Sequence, residues 1–120
     1  MGDKKILIFG SNGGLGNALA RHYLSLGEKV FGTSRKNVTD ILHPNYRHFC
    51  CDLLNETDVD RIINFFKDNQ LTIHIIINCT AISTNKPLLF SNQEDLRNVL
   101  ETNLISHYQI CKKFSKFLLI

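Results

Sequence analysis

The sequence predicts an α/β fold in which a parallel β-sheet is covered by helices on both faces, and three observations predict it. Lys4–Phe9 is a short, almost wholly apolar run of strand-forming residues, the pattern of a strand buried on both faces. Similar runs then alternate with stretches of helical period, which implies right-handed crossovers between parallel strands. The first run passes into a helical one through four glycines in seven positions, Gly10, Gly13, Gly14 and Gly16. Four strands connected in this way are expected in the order 3-2-1-4, so that the order reverses between the first and the fourth.

The elements follow in turn. After the first strand, Leu15, Leu19, Tyr23 and Leu26 mark a helix over 14–26, with Gly27 as its C-terminal stop. The second strand is expected over 29–33, a short helical turn over 37–42 closed by Pro44, and the third strand over 47–51. Asn55 and Asp58 cap a helix whose apolar stripe is Val59, Ile62, Ile63 and Phe66. The fourth strand is expected over 73–78. A Pro87 loop leads to a last helix that opens with Ser91-Asn92-Gln93-Glu94 as a capping box and runs to about Phe117, with Leu96, Leu100, Asn103 and His107 on one stripe.

Composition narrows the class. A length of 120 residues with 43% hydrophobic content predicts one packed domain over 1–120. A formal charge of +3, spread without a basic run, gives no reason to expect nucleic acid as a partner. Cys50, Cys51, Cys79 and Cys111 contain no Cys-x-x-Cys pair, and the five histidines have no ligand spacing, so no metal site is expected and the cysteines read as reduced, inert thiols. No hydrophobic run is long enough to span a bilayer, and Met1-Gly2-Asp3-Lys4-Lys5 carries no secretory pattern, so a cytoplasmic protein with no membrane partner is expected.

A strand that feeds a helix through a glycine-rich turn lets backbone N–H groups and a helix N-terminus approach a pyrophosphate. The expected cradle is Gly10, Ser11, Asn12, Gly13, Gly14, Leu15 and Gly16. In it Gly10 makes the tight turn, Gly13 or Gly14 admits the phosphates, and Gly16 lets the helix pack on the strand. The topology places the site at the carboxyl ends of strands one and four, between this turn and Asn78. A Rossmann-type, dinucleotide-binding sheet follows.

In these residues the chain resembles the short-chain dehydrogenases/reductases. Gly10-x-x-x-Gly14-x-Gly16 is similar to that family's cofactor turn, with Phe9 where a threonine is usual. The resemblance implies that Asp52 and Leu53 meet the adenine ring, and that Asn78-Cys79-Thr80-Ala81 stands for the family's Asn-Asn-Ala-Gly, so that Asn78, Thr80 and Ala81 bind cofactor. It also implies that Asn103 helps to hold a proton-relay water. Read from the residues alone, Asp52 equally suits a turn cap, Asn78 a strand-end polar group, and Asn103 a helix amide bonded to nearby backbone.

Cofactor choice is read at the end of strand two. A carboxylate there accepts hydrogen bonds from ribose hydroxyls and repels a 2′-phosphate. This chain has Thr33-Ser34-Arg35-Lys36 instead. Arg35 can pair with a phosphate and the Ser34 hydroxyl can donate to it, so NADP(H) is the expected cofactor and NAD(H) the alternative; solvated loop cations are the other reading of Arg35 and Lys36.

The family resemblance implies hydride transfer between nicotinamide and a small carbonyl or alcohol substrate. It also implies a Ser and a Tyr-x-x-x-Lys segment beyond a fifth strand. Tyr108 and Lys112 have that spacing but sit inside the last helix, and they are expected to be ordinary helix residues. The chain is therefore expected to be a cofactor-binding portion, truncated before a fifth strand begins and not active in isolation, with strand four at the sheet edge. Self-association through the last helix is an expected partner interaction. The alternatives are a non-catalytic dinucleotide-binding remnant or sensor, and a fragment of an extended, sugar-nucleotide-modifying relative.

Overall fold

The structure, a computed structural model, describes residues 2–118. Its elements are β1 (Lys5–Phe9), α1 (Gly14–Ser25), β2 (Lys29–Ser34), β3 (Tyr46–Cys50), α2 (Glu56–Asp68), β4 (Ile75–Asn78), α3 (Gln93–Leu100) and α4 (Ser106–Phe114). The sheet is parallel in the order β3-β2-β1-β4, as expected. Phe9 pairs with Thr33 on one side and with Asn78 on the other, which brings the carboxyl ends of β1, β2 and β4 level with one another.

Alternation along β1 explains its unbroken hydrophobicity. Leu7 and Phe9 face a core shared with Val59, Ile62 and Phe66 of α2 and Ile110 and Phe114 of α4. Ile6 and Ile8 face the opposite layer, with Ala20 and Leu24 of α1. The first layer is aromatic. Phe31 meets Phe66 edge-on at 4.9 Å between ring centres, Phe9 meets Phe114 at 5.4 Å, and the Arg47 guanidinium lies 4.5 Å over the Phe65 ring.

Helix ends follow the local chemistry. Gly27, at φ +82°, closes α1 with its N–H on the Leu24 carbonyl and that of Glu28 on the Tyr23 carbonyl, a left-handed stop that glycine adopts without strain. Asn55 caps α2 by accepting from the Asp58 amide.

Three expectations are corrected. Residues 37–42 form no helix; the segment is too short to offset helix nucleation, and other side chains hold it. Asn12 Nδ2 donates to the Val38 carbonyl at 2.7 Å, Asn17 and Arg21 both reach Asp40, and Ile41 is buried. The capping box is one residue later than expected: Asn92 accepts from the Asp95 amide while the Asp95 carboxylate accepts from the Asn92 amide.

The last helix is helical throughout 93–117, but its expected apolar stripe does not hold. A wide π-turn at Glu101–Ile105 separates α3 from α4 and rotates the buried face, so that Ser106, Ile110 and Phe114 point inward while Leu96 and Leu100 are exposed. β4 is the edge strand of the sheet, as expected; just ahead of it the Ile73 amide donates to the Phe117 carbonyl at 2.8 Å, and Ile73 forms an isolated parallel bridge with Leu118.

Cys50 and Cys111 are exposed, whereas Cys51 is buried. Burial, reinforced by the nearby Asp58 and Asp52 carboxylates, pushes the Cys51 thiol up to about 12. Among the described residues no helix is long and apolar enough to cross a membrane.

Candidate functional site

At the carboxyl edge of the sheet lies a cleft of about 480 Å³. The glycine turn contributes Gly10, Asn12 and Gly13, and the end of β2 contributes Ser34 and Arg35. The segment after β3 brings Asp52 and Leu53, and the segment after β4 brings Thr80 and Ala81. Residues from four separate stretches of sequence thus meet where the strand order reverses.

The turn is built by close backbone approach. Gly10 has φ +85°, and its amide and that of Ser11 both donate to the Thr33 carbonyl at 3.0 Å. A Cβ at Gly10 would stand 3.1 Å from Thr80 Cγ2, and one at Gly16 would fall 2.0 Å from the Gly10 carbonyl oxygen. Gly16 is therefore required for α1 to reach the strand. At Gly14 a Cβ would meet nothing within 4 Å, so the space above the helix end is open. Gly13, the N-cap of α1, offers no side chain to the first amides, and no acidic residue stands in the first turn. The positive end of the helix faces the cleft uncompensated by a protein anion, an arrangement suited to a phosphate. Leu15 is largely exposed in the same turn. Ser11 is fully buried, with its hydroxyl 2.7 Å from the Tyr46 hydroxyl; its side chain serves the interior and not the cleft.

Beyond β2, Asn12 Nδ2 donates to Ser34 Oγ at 3.0 Å, joining the glycine turn to the Ser34-Arg35-Lys36 loop. The Arg35 guanidinium makes no ion pair with any of the described residues. Asp52 lines the cleft, and its Oδ1 accepts from the Leu54 amide at 3.0 Å as a turn cap.

Asn78 lies beneath the cleft. Its Oδ1 accepts from the Thr80 amide and hydroxyl, while its Nδ2 is buried without a hydrogen-bond partner among the described residues. Asn103 is equally specific. Its Oδ1 accepts from the Ile82 amide at 2.8 Å and its Nδ2 donates to the Ile82 carbonyl at 2.7 Å, so one amide clamps the loop after β4. His107 Nε2 donates to the Thr80 carbonyl at 3.1 Å, a second tie on the same loop. Tyr108 and Lys112 do not line the cleft.

Sequence reasoning missed Asn98 and Thr102, which both line the cleft. They are polar, four residues apart and just ahead of Asn103, a helix-face signal that was available. Cys79 and Ile82, also in the wall, carried no such signal. The polar part of the cleft wall thus includes Asn12, Ser34, Asn98 and Thr102, with the Arg35 guanidinium and the Asp52 carboxylate as its charged groups among the described residues.

Comparison with known proteins agrees with this geometry. The family pattern described as short chain dehydrogenase matches residues 4–119. A probable chlorophyll(ide) b reductase of Oryza sativa subsp. japonica is 31% identical over 132 residues, covering 87% of this chain and 26% of the relative. The 3-oxoacyl-(acyl-carrier-protein) reductase of Salmonella typhimurium is 24% identical over 114 residues, covering 91% and 47%. The chain thus spans less than half the length of these curated relatives.

Among solved structures, a short chain dehydrogenase from Leptospira borgpetersenii with bound NAD+ superposes with a TM-score of 0.87 at 23% identity, over 93% of this chain and 44% of that one. An NADPH-bound carbonyl reductase from chicken fatty liver superposes with 0.85 at 20% identity, over 98% and 50%. With the family pattern matched from residue 4 to residue 119 on a sheet ordered β3-β2-β1-β4, the chain belongs to the short chain dehydrogenase family.

Proposed function

We propose that residues 1–120 are the NADP(H)-binding portion of an oxidoreductase that moves hydride between nicotinamide and a small carbonyl or alcohol. One observation carries the cofactor choice: Ser34 and Arg35, with no carboxylate beside them at the end of β2, line the same cleft as the glycine turn. When bound, the dinucleotide supplies the hydride chemistry. The chain's own residues hold it: α1's N-terminal amides take the pyrophosphate, Arg35 and Ser34 the 2′-phosphate, and Asp52 and Leu53 the adenine side. Asn78, Thr80 and Ala81 take the nicotinamide side, behind which Asn103 fixes the loop. Of the two superposed structures one carries NAD+ and the other NADPH, which supports a dinucleotide and leaves the choice to the loop after β2. The reading includes a second copy of the chain as partner, through the exposed Leu96, Leu100, Leu104 and Tyr108.

Calorimetric titration of the 120-residue chain with NADPH and NADH tests it. NADPH is expected to bind at least tenfold more tightly. Arg35→Ala is expected to weaken NADPH by about 10- to 100-fold, the range of a charged hydrogen bond, and to leave NADH within a factor of about two. Equal affinities that Arg35→Ala does not alter would refute the assignment. A second reading, dinucleotide binding without turnover, is favoured by the position of Tyr108 and Lys112 outside the cleft. NADPH oxidation by this chain with a panel of carbonyl compounds would exclude it.

A further inference from the structure

A line of hydrogen bonds runs beneath the loop that carries Ser34 and Arg35. Ser11 Oγ lies 2.7 Å from Tyr46 Oη, Tyr46 Oη 2.8 Å from His48 Nδ1, and His48 Nε2 2.9 Å from Ser34 Oγ and 3.1 Å from the Lys36 carbonyl. Gly32 makes room for it: a Cβ there would stand 2.2 Å from both the Ser11 and Tyr46 hydroxyl oxygens.

Ser34 Oγ is crowded with partners. It accepts from Asn12 Nδ2 at 3.0 Å and from the Lys36 amide at 3.2 Å, which fills its two acceptor positions. Its single proton has two protein acceptors in reach, the Lys36 carbonyl at 2.8 Å and His48 Nε2. The proton's direction therefore depends on which imidazole nitrogen carries hydrogen. With Nδ1 protonated, bare Nε2 competes for the Ser34 proton. The Tyr46 hydroxyl then donates to Ser11 or to Thr39, and in the first case Ser11 is left the Thr33 carbonyl at a long 3.4 Å. With Nε2 protonated, Ser11 donates to Tyr46, Tyr46 to Nδ1, and Nε2–H to the Lys36 carbonyl, every link at 3.1 Å or less. The second arrangement has the better geometry. It removes Nε2 as a competing acceptor and gives the Lys36 carbonyl, which can accept two hydrogen bonds, a donor besides Ser34, so a ligand anion in the cleft can take the Ser34 proton. Burial keeps the Tyr46 phenol above its ordinary value, so that it remains a donor.

We propose that His48, held in its Nε2–H form by Tyr46 and Ser11, is a specificity-determining positioning residue that turns the Ser34 hydroxyl into a donor for a 2′-phosphate. The inference rests on the reading of Ser34 and Arg35 given above. Long-range proton–nitrogen NMR of the whole chain is expected to show His48 protonated at Nε2; hydrogen on Nδ1 with Nε2 bare would overturn the proposal.

Calorimetry with NADPH and NADH supplies the second test. His48→Leu is expected to lower the NADPH preference about tenfold with NADH affinity unchanged. His48→Gln, whose amide can still donate to the Lys36 carbonyl, restores part of it. Tyr46→Phe, which keeps the ring packing, lowers the preference in the same direction by a smaller factor. Parallel losses for both nucleotides, or a preference untouched in both His48→Leu and Tyr46→Phe, would overturn the role of His48 and leave the cofactor assignment standing. A wild-type chain without any preference would remove both.

Discussion

Two alanine substitutions two residues apart separate what the fold needs from what the ligand needs. At Gly16 a Cβ would lie 2.0 Å from the Gly10 carbonyl oxygen and 2.8 Å from its carbonyl carbon. An ordinary C···O contact is about 3.3 Å, so helix and turn must part by more than 1 Å. The turn cannot yield cheaply, because the Gly10 and Ser11 amides are both bound to the Thr33 carbonyl. Overpacking of this kind costs about 1–3 kcal/mol, a fall of roughly 4–12 °C in melting temperature for a domain of this size. At Gly14 a Cβ would meet nothing, and the residue opens α1 outside the left-handed region. Gly14→Ala removes unfolded-state freedom and should stabilise the chain by about 0.4–1 kcal/mol. It also fills the space above the helix end, so it should weaken NADPH and NADH alike by about tenfold or more, near 1.4 kcal/mol per decade. Thermal melts followed by calorimetric titration read both quantities on one sample. A Gly14→Ala chain that melts higher and still binds NADPH like wild type would show that the phosphates do not sit over α1. A Gly16→Ala chain with unchanged melting would refute the packing argument.

Two further outcomes follow from the structure. Asn103→Ala removes both bonds to Ile82, at about 1–2 kcal/mol in total; hydrogen exchange should show lost protection at the Ile82 amide, with α4 unaffected, and an unchanged Ile82 amide would refute the clamp. Hydrogen bonds from Lys86 and from the Asn92 amide hold the Asp95 carboxyl below its usual value. A depressed folded value means that its stabilisation of the start of α3 is fully present above the ordinary carboxylate range and is lost as pH falls through the folded value. The Asn92 amide resonance should follow that acid transition, and Asp95→Asn should abolish it; an identical transition in the variant would refute the assignment.

What could be read from the sequence was whatever depends on local pattern. The unbroken apolar run in β1 reports helices on both of its faces, and the Gly10, Gly16 and Gly27 positions report backbone geometries that other residues resist. Those features gave the sheet order and the place of the cleft. What escaped depends on partners far along the chain. Residues 37–42 are held by Asn12, Asn17 and Arg21, which take their polar groups, and no local pattern signals those distant partners. The same limit applies to the network beneath the Ser34-Arg35-Lys36 loop: Ser11, Gly32, Tyr46 and His48 lie on three different segments and become neighbours only through strand register.

The π-turn is the instructive case. A straight helix with the expected phase would have buried Leu96, Leu100, Asn103 and His107 as one stripe. One wide turn at Glu101–Ile105 divides that stripe, leaving Leu96 and Leu100 exposed while Asn103 and His107 reach the loop after β4. It also presents Asn98 and Thr102 to the cleft and returns Ser106, Ile110 and Phe114 to the core. A helix needed simultaneously for the core, the loop and the cleft has three faces to satisfy, and a change of phase lets nine or so residues on either side of the turn serve them all.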